Sequence, residues 1–357
     1  MDKKTVIVAM SGGVDSSVSA ALLLKAGYRV IGVTMRLWDG EDGPAFSRTC
    51  CSLDSVEDAR RVCQVLDIPF YPLNLTREFR THVVDYFCEE YQVGRTPNPC
   101  LACNRFVKFS FLLTKARALG AHYLATGHYA RIDRTGETHR LLRGADPGKD
   151  QSYVLYTLGQ EEMEHLLLPV GDYAKSEIRR IAHDWGLPVA DKPDSQEVCF
   201  ITEGDYRGFL ADRVSYAPGP MVNQEGRELG SHRGLPFYTI GQRKGLGLAL
   251  GQAYYVVGLD QPRNTLVVGP QQELESLALL ARDVTFTSGQ PPRLPGQIEA
   301  QVRYRSPAVP AALVPENGDW RVNFVQPQRA VTPGQAVVFY RGEEVLGGGT
   351  IEEAIRS

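Results

Sequence analysis

Three cysteines and one glycine turn hold the residue types in this sequence best suited to chemistry. "GRTPNPCLACNRFVKF" sets Cys100 and Cys103 behind a Pro-rich loop, at the expected first turn of a helix. Cys199 follows in "KPDSQEVCFI", behind a Pro-containing loop of its own. Sulfur is a strong nucleophile at neutral pH, yet a free thiol with a pKa of about 8.5 is only about 3% ionised at pH 7, a fraction that a helix N-terminus raises. Taken alone, Cys-x-x-Cys is also half of a zinc site, for which Cys199 and His128 are the nearest further ligands. Cys63 and Cys88 fall within apolar helical patterns and are expected to pack. Cys50 and Cys51 precede a helix that Ser52 or Asp54 could cap, which gives them a structural role.

The glycine turn lies far upstream. In "VIVAMSGGVDSS" an apolar run, Val6 to Met10, leads through Ser11, Gly12 and Gly13 into a helical pattern, Val14 to Lys25. Backbone N–H groups of such a turn make a concave anion site. The common nucleotide loop, G-x-x-x-x-G-K-[ST], has a Lys after its last Gly; here that Lys is missing and Asp15 stands inside the loop. A carboxylate ~4 Å from a phosphate charge is repelled by roughly 4 kcal/mol at an effective dielectric of ~20. Mg²⁺ between them would turn repulsion into coordination. The acid therefore points to a metal–pyrophosphate complex rather than to γ-phosphoryl transfer steered by a Lys. Ser11, Ser16 and Ser17 add hydroxyls around the helix start. The plainer alternative is an ordinary strand-to-helix turn capped by Ser11 or Asp15.

The elements that must hold these residues alternate between strand and helix. Gly27 ends the first helix before a second apolar run, Val30 to Val33, which makes a strand–helix–strand unit with parallel strands. Helices are expected over "SVEDARRVCQVLDIP", with Val56, Ala59, Cys63 and Leu66 on one face, over "REFRTHVVDYFCEEYQVG" ending at Gly94, over "FVKFSFLLTKARALG" closed by Gly120, and over Lys175 to Trp185. "HYLAT" reads as a strand. This is the pattern of a doubly wound α/β domain, placed at residues 1–202. Residues 203–273 are rich in Gly, Pro and basic residues. Residues 274–357 carry only strand-length apolar runs between turns, the texture of a small β-barrel or sandwich.

Composition sets the outer bounds. The 357 residues are 23% charged and 43% hydrophobic, with seven Cys and a formal net charge of −3. No apolar run of about 18 residues is present, so no membrane span or membrane partner is expected. The N-terminus enters a strand without a signal-peptide pattern, and a cytoplasmic location with mostly reduced thiols is expected. The acidic balance gives no global attraction to nucleic acid and nothing suggests DNA. Any RNA must be held by local patches: His232, Arg233, Arg243 and Lys244 with Phe237 and Tyr238 interleaved, and Arg303, Tyr304 and Arg305 in "QVRYRS".

"SGGVDSS" after a strand resembles the loop of the ATP pyrophosphatase superfamily, which cleaves ATP between the α and β phosphates to adenylate an oxygen. The ordered set "AMSGGVDSS", "GRTPNPCLACNRFVKF", "ATGHYAR", "GKDQSYVLY", "KPDSQEVCFI", "YTIGQRKGLG" and "VRYRSP" further resembles the bacterial tRNA-specific 2-thiouridylases, from Ala9 to Pro307. That resemblance implies a PP-loop α/β domain, a small central tRNA-contact domain and a C-terminal β-barrel. It implies ATP with Mg²⁺, adenylation of the C2 oxygen of a wobble uridine in the tRNA anticodon region, and sulfur from a Cys199 persulfide. That persulfide would be charged by a sulfur-carrier protein and resolved by Cys103 to a disulfide. By position, Ala9, Met10, Ser11, Gly12, Gly13, Val14, Asp15, Ser16, Met35 and Gly127 would bind ATP. Asn98, Pro99 and Cys100 would meet the target base, and His128, Lys149, Asp150, Gln151, Arg303, Tyr304 and Gln335 would contact tRNA.

One position departs from that pattern. Cys100 stands where many members carry Asp, three residues before the first catalytic Cys. Cys100, Cys103 and Cys199 are also the ligand set by which some related tRNA thiolases hold a 4Fe–4S cluster, so the persulfide relay and a cluster both stay open. Outside this chemistry stand an amidating ATP pyrophosphatase resembling GMP synthetase, which leaves Cys103 and Cys199 without a role, and a non-catalytic RNA-binding or zinc protein with a vestigial loop.

Overall fold

The computed structural model describes residues 3–38, 53–194, 198–201, 205–248, 251–293 and 296–356. Cys50, Cys51 and Ser52, and the expected domain boundary at 202/203, lie outside the described residues.

The first domain is built on a five-stranded parallel sheet, in the order Phe70–Asn74, Arg29–Arg36, Thr5–Ala9, Tyr123–Ala125, Leu166–Leu167. The apolar run after Lys4 is buried on both faces, as a central parallel strand must be. The helix after it spans Val14–Lys25, and Gly27 leaves it with a φ of 88°, a conformation that suits Gly. From Thr5–Ala9 the chain winds outward through two strands, then returns to the other side of Thr5–Ala9 with Tyr123–Ala125. The order reverses there. Ligands of open α/β sheets bind outside the carboxyl ends of the strands at such a switch point. The two loops leaving it are Ser11–Gly13 and Thr126–Gly127.

A four-stranded sheet follows, ordered Tyr255–Asp260, Thr265–Gly269, Gly219–Val222, Glu228–His232. The last six strands, Glu275–Phe286 to Glu344–Ile355, form a barrel that closes where these two strands pair. The α/β domain also lends it a hairpin. Ala130–Asp133 and Arg140–Arg143 extend the barrel sheet through the pairs Glu344↔Leu142 and Val345↔Leu141. Nothing in local sequence announces this, since an edge strand takes whichever partner tertiary packing brings. Among the described residues no helix is long and apolar enough to cross a membrane.

The expected helices over 77–94 and 106–120 are present as continuous helical stretches, with π-helical turns at Arg80–Asp85 and Cys103–Leu112. Cys63 is buried, and burial pushes its thiol up to about 11; Cys88 is half-buried and raised for the same reason. Both pack, as expected. One RNA patch is corrected. His232, Phe237 and Tyr238 are buried, His232 accepting from Gly234 N–H at 3.0 Å and meeting the Asn264 carbonyl at 2.9 Å. Burying two aromatic rings outweighs presenting them to solvent, so only the exposed Arg233, Arg243 and Lys244 remain for an anionic partner.

Candidate active site

Gly13 is the N-cap of the Val14–Lys25 helix, and no side chain caps it, Ser11 and Asp15 included. An uncapped helix start leaves its first backbone N–H groups to a ligand. The serines brace the turn instead of lining it: Ser16 Oγ and Ser17 Oγ donate to the Gly13 carbonyl at 3.1 and 2.8 Å, and Ser11 N–H donates to Ser16 Oγ at 3.1 Å. Gly12 adopts a φ of 69°, and a Cβ there would stand 2.2 Å from the Ser55 carbonyl oxygen. Gly127, on the other switch-point loop, is as tightly constrained: a Cβ would lie 2.6 Å from Ser16 N. Both glycines are therefore required by close approach of backbone to backbone, and the space over Ser16 N–H stays open only to a residue without a side chain. Ala9, Met10 and Val14 are buried beneath the loop. Met10 is committed through its backbone as well, to Val33 O at 2.8 Å and Thr34 Oγ1 at 3.0 Å. These three shape the floor.

The lysine missing from the loop comes from elsewhere in the fold. Lys175, the first residue of the Lys175–Asp184 helix, donates to Asp15 Oδ1 and Oδ2 at 2.7 and 2.8 Å and pairs with Asp194 at 2.9 Å. Tyr129 OH donates to Asp15 Oδ1 at 2.6 Å. Lys192 donates to the Gly12 carbonyl at 2.9 Å and pairs with Asp58 at 2.7 Å. Asp194 gathers Lys149, Lys175 and Arg179. Burial alone would raise its carboxyl, but the hydrogen bonds and charges of Lys149 and Lys175 outweigh burial and hold it at about 2. The charge of Asp15 is thus paired with an ammonium group. Lys175, Lys192, Asp58, Tyr129 and Asp194 were not singled out in the sequence. Lys192 and Asp194 stand in the quoted "KPDS" stretch, but only tertiary contact gives them a task.

On the sulfur side, Asn98 caps a helix start at Pro99–Ala102, its Oδ1 accepting from Cys100 N–H at 3.0 Å. Cys100 is exposed. Cys103 lies one turn further on, past the expected first turn, and is buried. Cys199 is half-buried against the same apolar cluster that contains Cys103, together with Phe79, Phe87 and Phe200, and Met35 borders it from the sheet. Cys63 and Cys88 are free thiols.

Most residues matched to tRNA contacts have partners inside the chain. Asp150 accepts from Gly144 and Ser152 N–H and pairs with Arg143, and Gln151 Oε1 accepts from Tyr129 N–H at 2.9 Å. His128 shares a 2.8 Å hydrogen bond with Thr126 Oγ1, and burial holds it well below the usual histidine range and neutral. Arg303 donates to the Ala330 carbonyl and Thr332 Oγ1, Tyr304 packs against Tyr153, and Gln335 Nε2 donates to the Thr96 carbonyl at 2.7 Å.

Family models match this chain along nearly its whole length: a tRNA methyl transferase HUP domain over 4–203, a tRNA methyl transferase PRC-barrel domain over 207–270 and an aminomethyltransferase β-barrel domain over 276–351. The tRNA-specific 2-thiouridylase MnmA of Moorella thermoacetica is 56% identical over 354 residues, covering 97% of this chain and 99% of its own. This chain belongs to the tRNA-specific 2-thiouridylase family. The namesake from Pelotomaculum thermopropionicum is 51% identical over 99% of this chain and 98% of its own. A 4-thiouridine synthetase–RNA complex with bound ATP superposes with a TM-score of only 0.37, at 20% identity over 56% of this chain and 46% of that one, and adds no argument.

Among the described residues no group of three or more His, Cys, Asp or Glu is arranged to hold a metal ion, and Cys100, Cys103 and Cys199 do not form one. A cluster, or half of a zinc site, does not fit this arrangement. Asp15, the one loop carboxylate, is committed to Lys175 and Tyr129, so no step is derived through Mg²⁺ either.

Proposed function

We propose that this chain uses ATP to replace the C2 oxygen of a wobble uridine in tRNA by sulfur. The observation that carries the reading is the convergence of Cys103 and Cys199, distant in sequence, on one apolar cluster bordered by Met35 of the Arg29–Arg36 strand. An amidating pyrophosphatase would have no use for two such thiols.

ATP lies with its phosphates over the uncapped helix start at Gly12, Gly13, Asp15 and Ser16, beneath Gly127. Lys175 and Lys192, held at the loop rim, face the negative charge that grows on the pyrophosphate. The uridine C2 oxygen attacks the α-phosphorus, pyrophosphate leaves, and C2 becomes electrophilic. The terminal sulfur of a Cys199 persulfide then attacks C2 and AMP departs. Cys103 thiolate attacks Cys199 Sγ and breaks the S–S bond, which leaves sulfur on C2 and a Cys103–Cys199 disulfide for an external thiol to reduce. The apolar surroundings keep water from competing for the activated carbon. We assign contact with the entering base to Asn98, Pro99 and Cys100, which open the cysteine helix, and contact with the RNA backbone to the exposed Arg305, Arg233, Arg243 and Lys244.

The experiment is a single turnover with unmodified tRNA, ATP and a persulfide donor, comparing wild type with Cys199→Ser. Tertiary placement predicts that the variant releases pyrophosphate in a tRNA-dependent burst and forms no 2-thiouridine. Thiolation by Cys199→Ser, or tRNA-independent amidation by wild type, overturns the reading.

A further inference from the structure

The six residues 93–98 join the helix that ends at Gln92 to the helix that bears Cys100 and Cys103, and all three domains meet on them. Gly94, at a φ of 75°, closes the first helix, with Gly94 N–H donating to Tyr91 O and Arg95 N–H to Glu90 O. The Arg95 side chain then reaches Glu90 at 3.1 Å and, across the domain boundary, Glu352 on the last barrel strand; Arg282 of the barrel pairs with Glu352 at 2.9 Å and faces Glu90 at 3.8 Å. Thr96 N–H donates to Pro333 O at 2.9 Å, its carbonyl accepts from Gln335, and its hydroxyl meets Thr239 of the central domain at 3.2 Å. A Cβ on Gly334 would lie 2.8 Å from Thr96 N. Two residues later Asn98 caps the cysteine helix.

The charge quartet is built for placement more than for stability. Arg95 and Glu90 are 14% and 12% exposed, so both have lost most of their water. Yet Arg95 Nε, Glu90 Oε2 and Arg282 Nε make no aligned hydrogen bond. A desolvated ion pair without full hydrogen bonding adds little stability over an apolar replacement, whereas its partner charges permit only one arrangement. The barrel turn it helps to seat is also the one held by Arg303, through Ala330 and Thr332.

We propose that Arg95 is a positioning residue for sulfur transfer: the Arg95–Glu352 contact and the Thr96 clamp fix the start of the cysteine helix to the barrel, so that the barrel sets the pose of Cys103. The adenylating loop lies on other strands and is not part of this linkage. Breaking the contact therefore uncouples the two half-reactions rather than stopping both. Misplacing a resolving thiol by about 1 Å is enough to slow its step many-fold; the Cys199–S–S–C2 adduct then persists until water attacks C2 and expels the Cys199 persulfide, which returns uridine after pyrophosphate and AMP have already left. This rests on the thiolation reading given above.

The test uses the full-length protein with tRNA, ATP, Mg²⁺ and a persulfide donor, and compares wild type, Arg95→Met, Glu352→Gln and Arg95→Lys. Pyrophosphate and 2-thiouridine are measured in the same reactions, and hydrogen exchange is followed at residues 95–104 and in the barrel strand at 319–329. Pyrophosphate release should stay within about twofold in Arg95→Met and Glu352→Gln while 2-thiouridine per pyrophosphate falls roughly tenfold. Arg95→Lys, which keeps the charge, should recover most of that ratio. Exchange should quicken at 95–104 and not at 319–329. Equal loss of both products with faster exchange in the barrel, or an unchanged ratio, overturns the proposal. If wild type makes no 2-thiouridine, the thiolation reading is what fails; the exchange at 95–104 still decides the linkage, and no change there in Arg95→Met overturns it.

Discussion

Lys175 gives its ammonium to both carboxylate oxygens of Asp15, at 2.7 and 2.8 Å, from a helix that starts far along the chain. The loop therefore has its lysine, delivered by tertiary structure instead of by the next residue. Lys175→Met should reduce tRNA-dependent pyrophosphate release by about 10²–10³-fold, the range for removing one preorganised charge partner. Asp15→Ala should abolish it with the fold intact. Because the two act as a unit, the double variant should be no worse than Asp15→Ala. Additive losses, read from single-turnover rates, would contradict the pairing.

Gly127 offers a steric test of the nucleotide site. Gly127→Ala places a methyl group 2.6 Å from Ser16 N, so one backbone or the other must shift, at a cost of about 1–3 kcal/mol. ATP affinity measured by calorimetry should drop at least about tenfold. An unchanged Kd would place the phosphates elsewhere.

Asp194 predicts a pH dependence of stability. Its folded carboxyl sits at about 2 against an ordinary 3.8, so its stabilisation is complete above pH ~4 and disappears as pH falls through 2. Asp194→Asn should cost about 1–2 kcal/mol at pH 7, allowing for partial solvent screening. The gap between variant and wild type should close as the pH is lowered from 4 to 2. Urea titrations at pH 7, 4 and 3 measure it; a gap independent of pH would remove the charge from the account.

The two arginines of "VRYRS" should separate. Both are exposed, but Arg303 donates to the Ala330 carbonyl and Thr332 Oγ1, whereas Arg305 lies beside Tyr304. Arg305→Ala should lower the salt dependence of tRNA binding by roughly 0.7–0.9 per lost phosphate contact. Arg303→Ala should cost about 1 kcal/mol of stability through its lost carbonyl bond. Filter binding across a salt series, with thermal melts, distinguishes them, and identical effects would refute the separation.

Cys100→Asp restores the residue common in the family. Cys100 follows Pro99 at an exposed helix start, where a carboxylate favours the helix by about 0.3–1 kcal/mol. Under a persulfide relay the variant should keep substantial aerobic thiolation without iron. Loss of activity in the variant, with wild type active only when loaded with iron, would replace the relay by a cluster, because Asp is a poorer donor than thiolate to iron–sulfur groups.

What the sequence determined by itself was local. The Val14–Lys25 helix, its glycine stop at Gly27, the turns at Gly94 and Gly120 and the parallel sheet all follow from periodicity and from φ values that suit Gly. The loop chemistry was legible because its glycines and its acid are neighbours in the chain. Tertiary structure decided whatever depended on which surfaces meet. It placed Lys175 on Asp15, Cys199 beside the Cys103 cluster, Gln335 on Thr96, and a hairpin of the first domain on the barrel edge. It also buried His232, Phe237 and Tyr238, which by residue type alone could equally have faced RNA. The physical reason is one of range: backbone sterics and side-chain periodicity act over a few residues, whereas charge pairing and burial are set by partners that only the folded chain brings together.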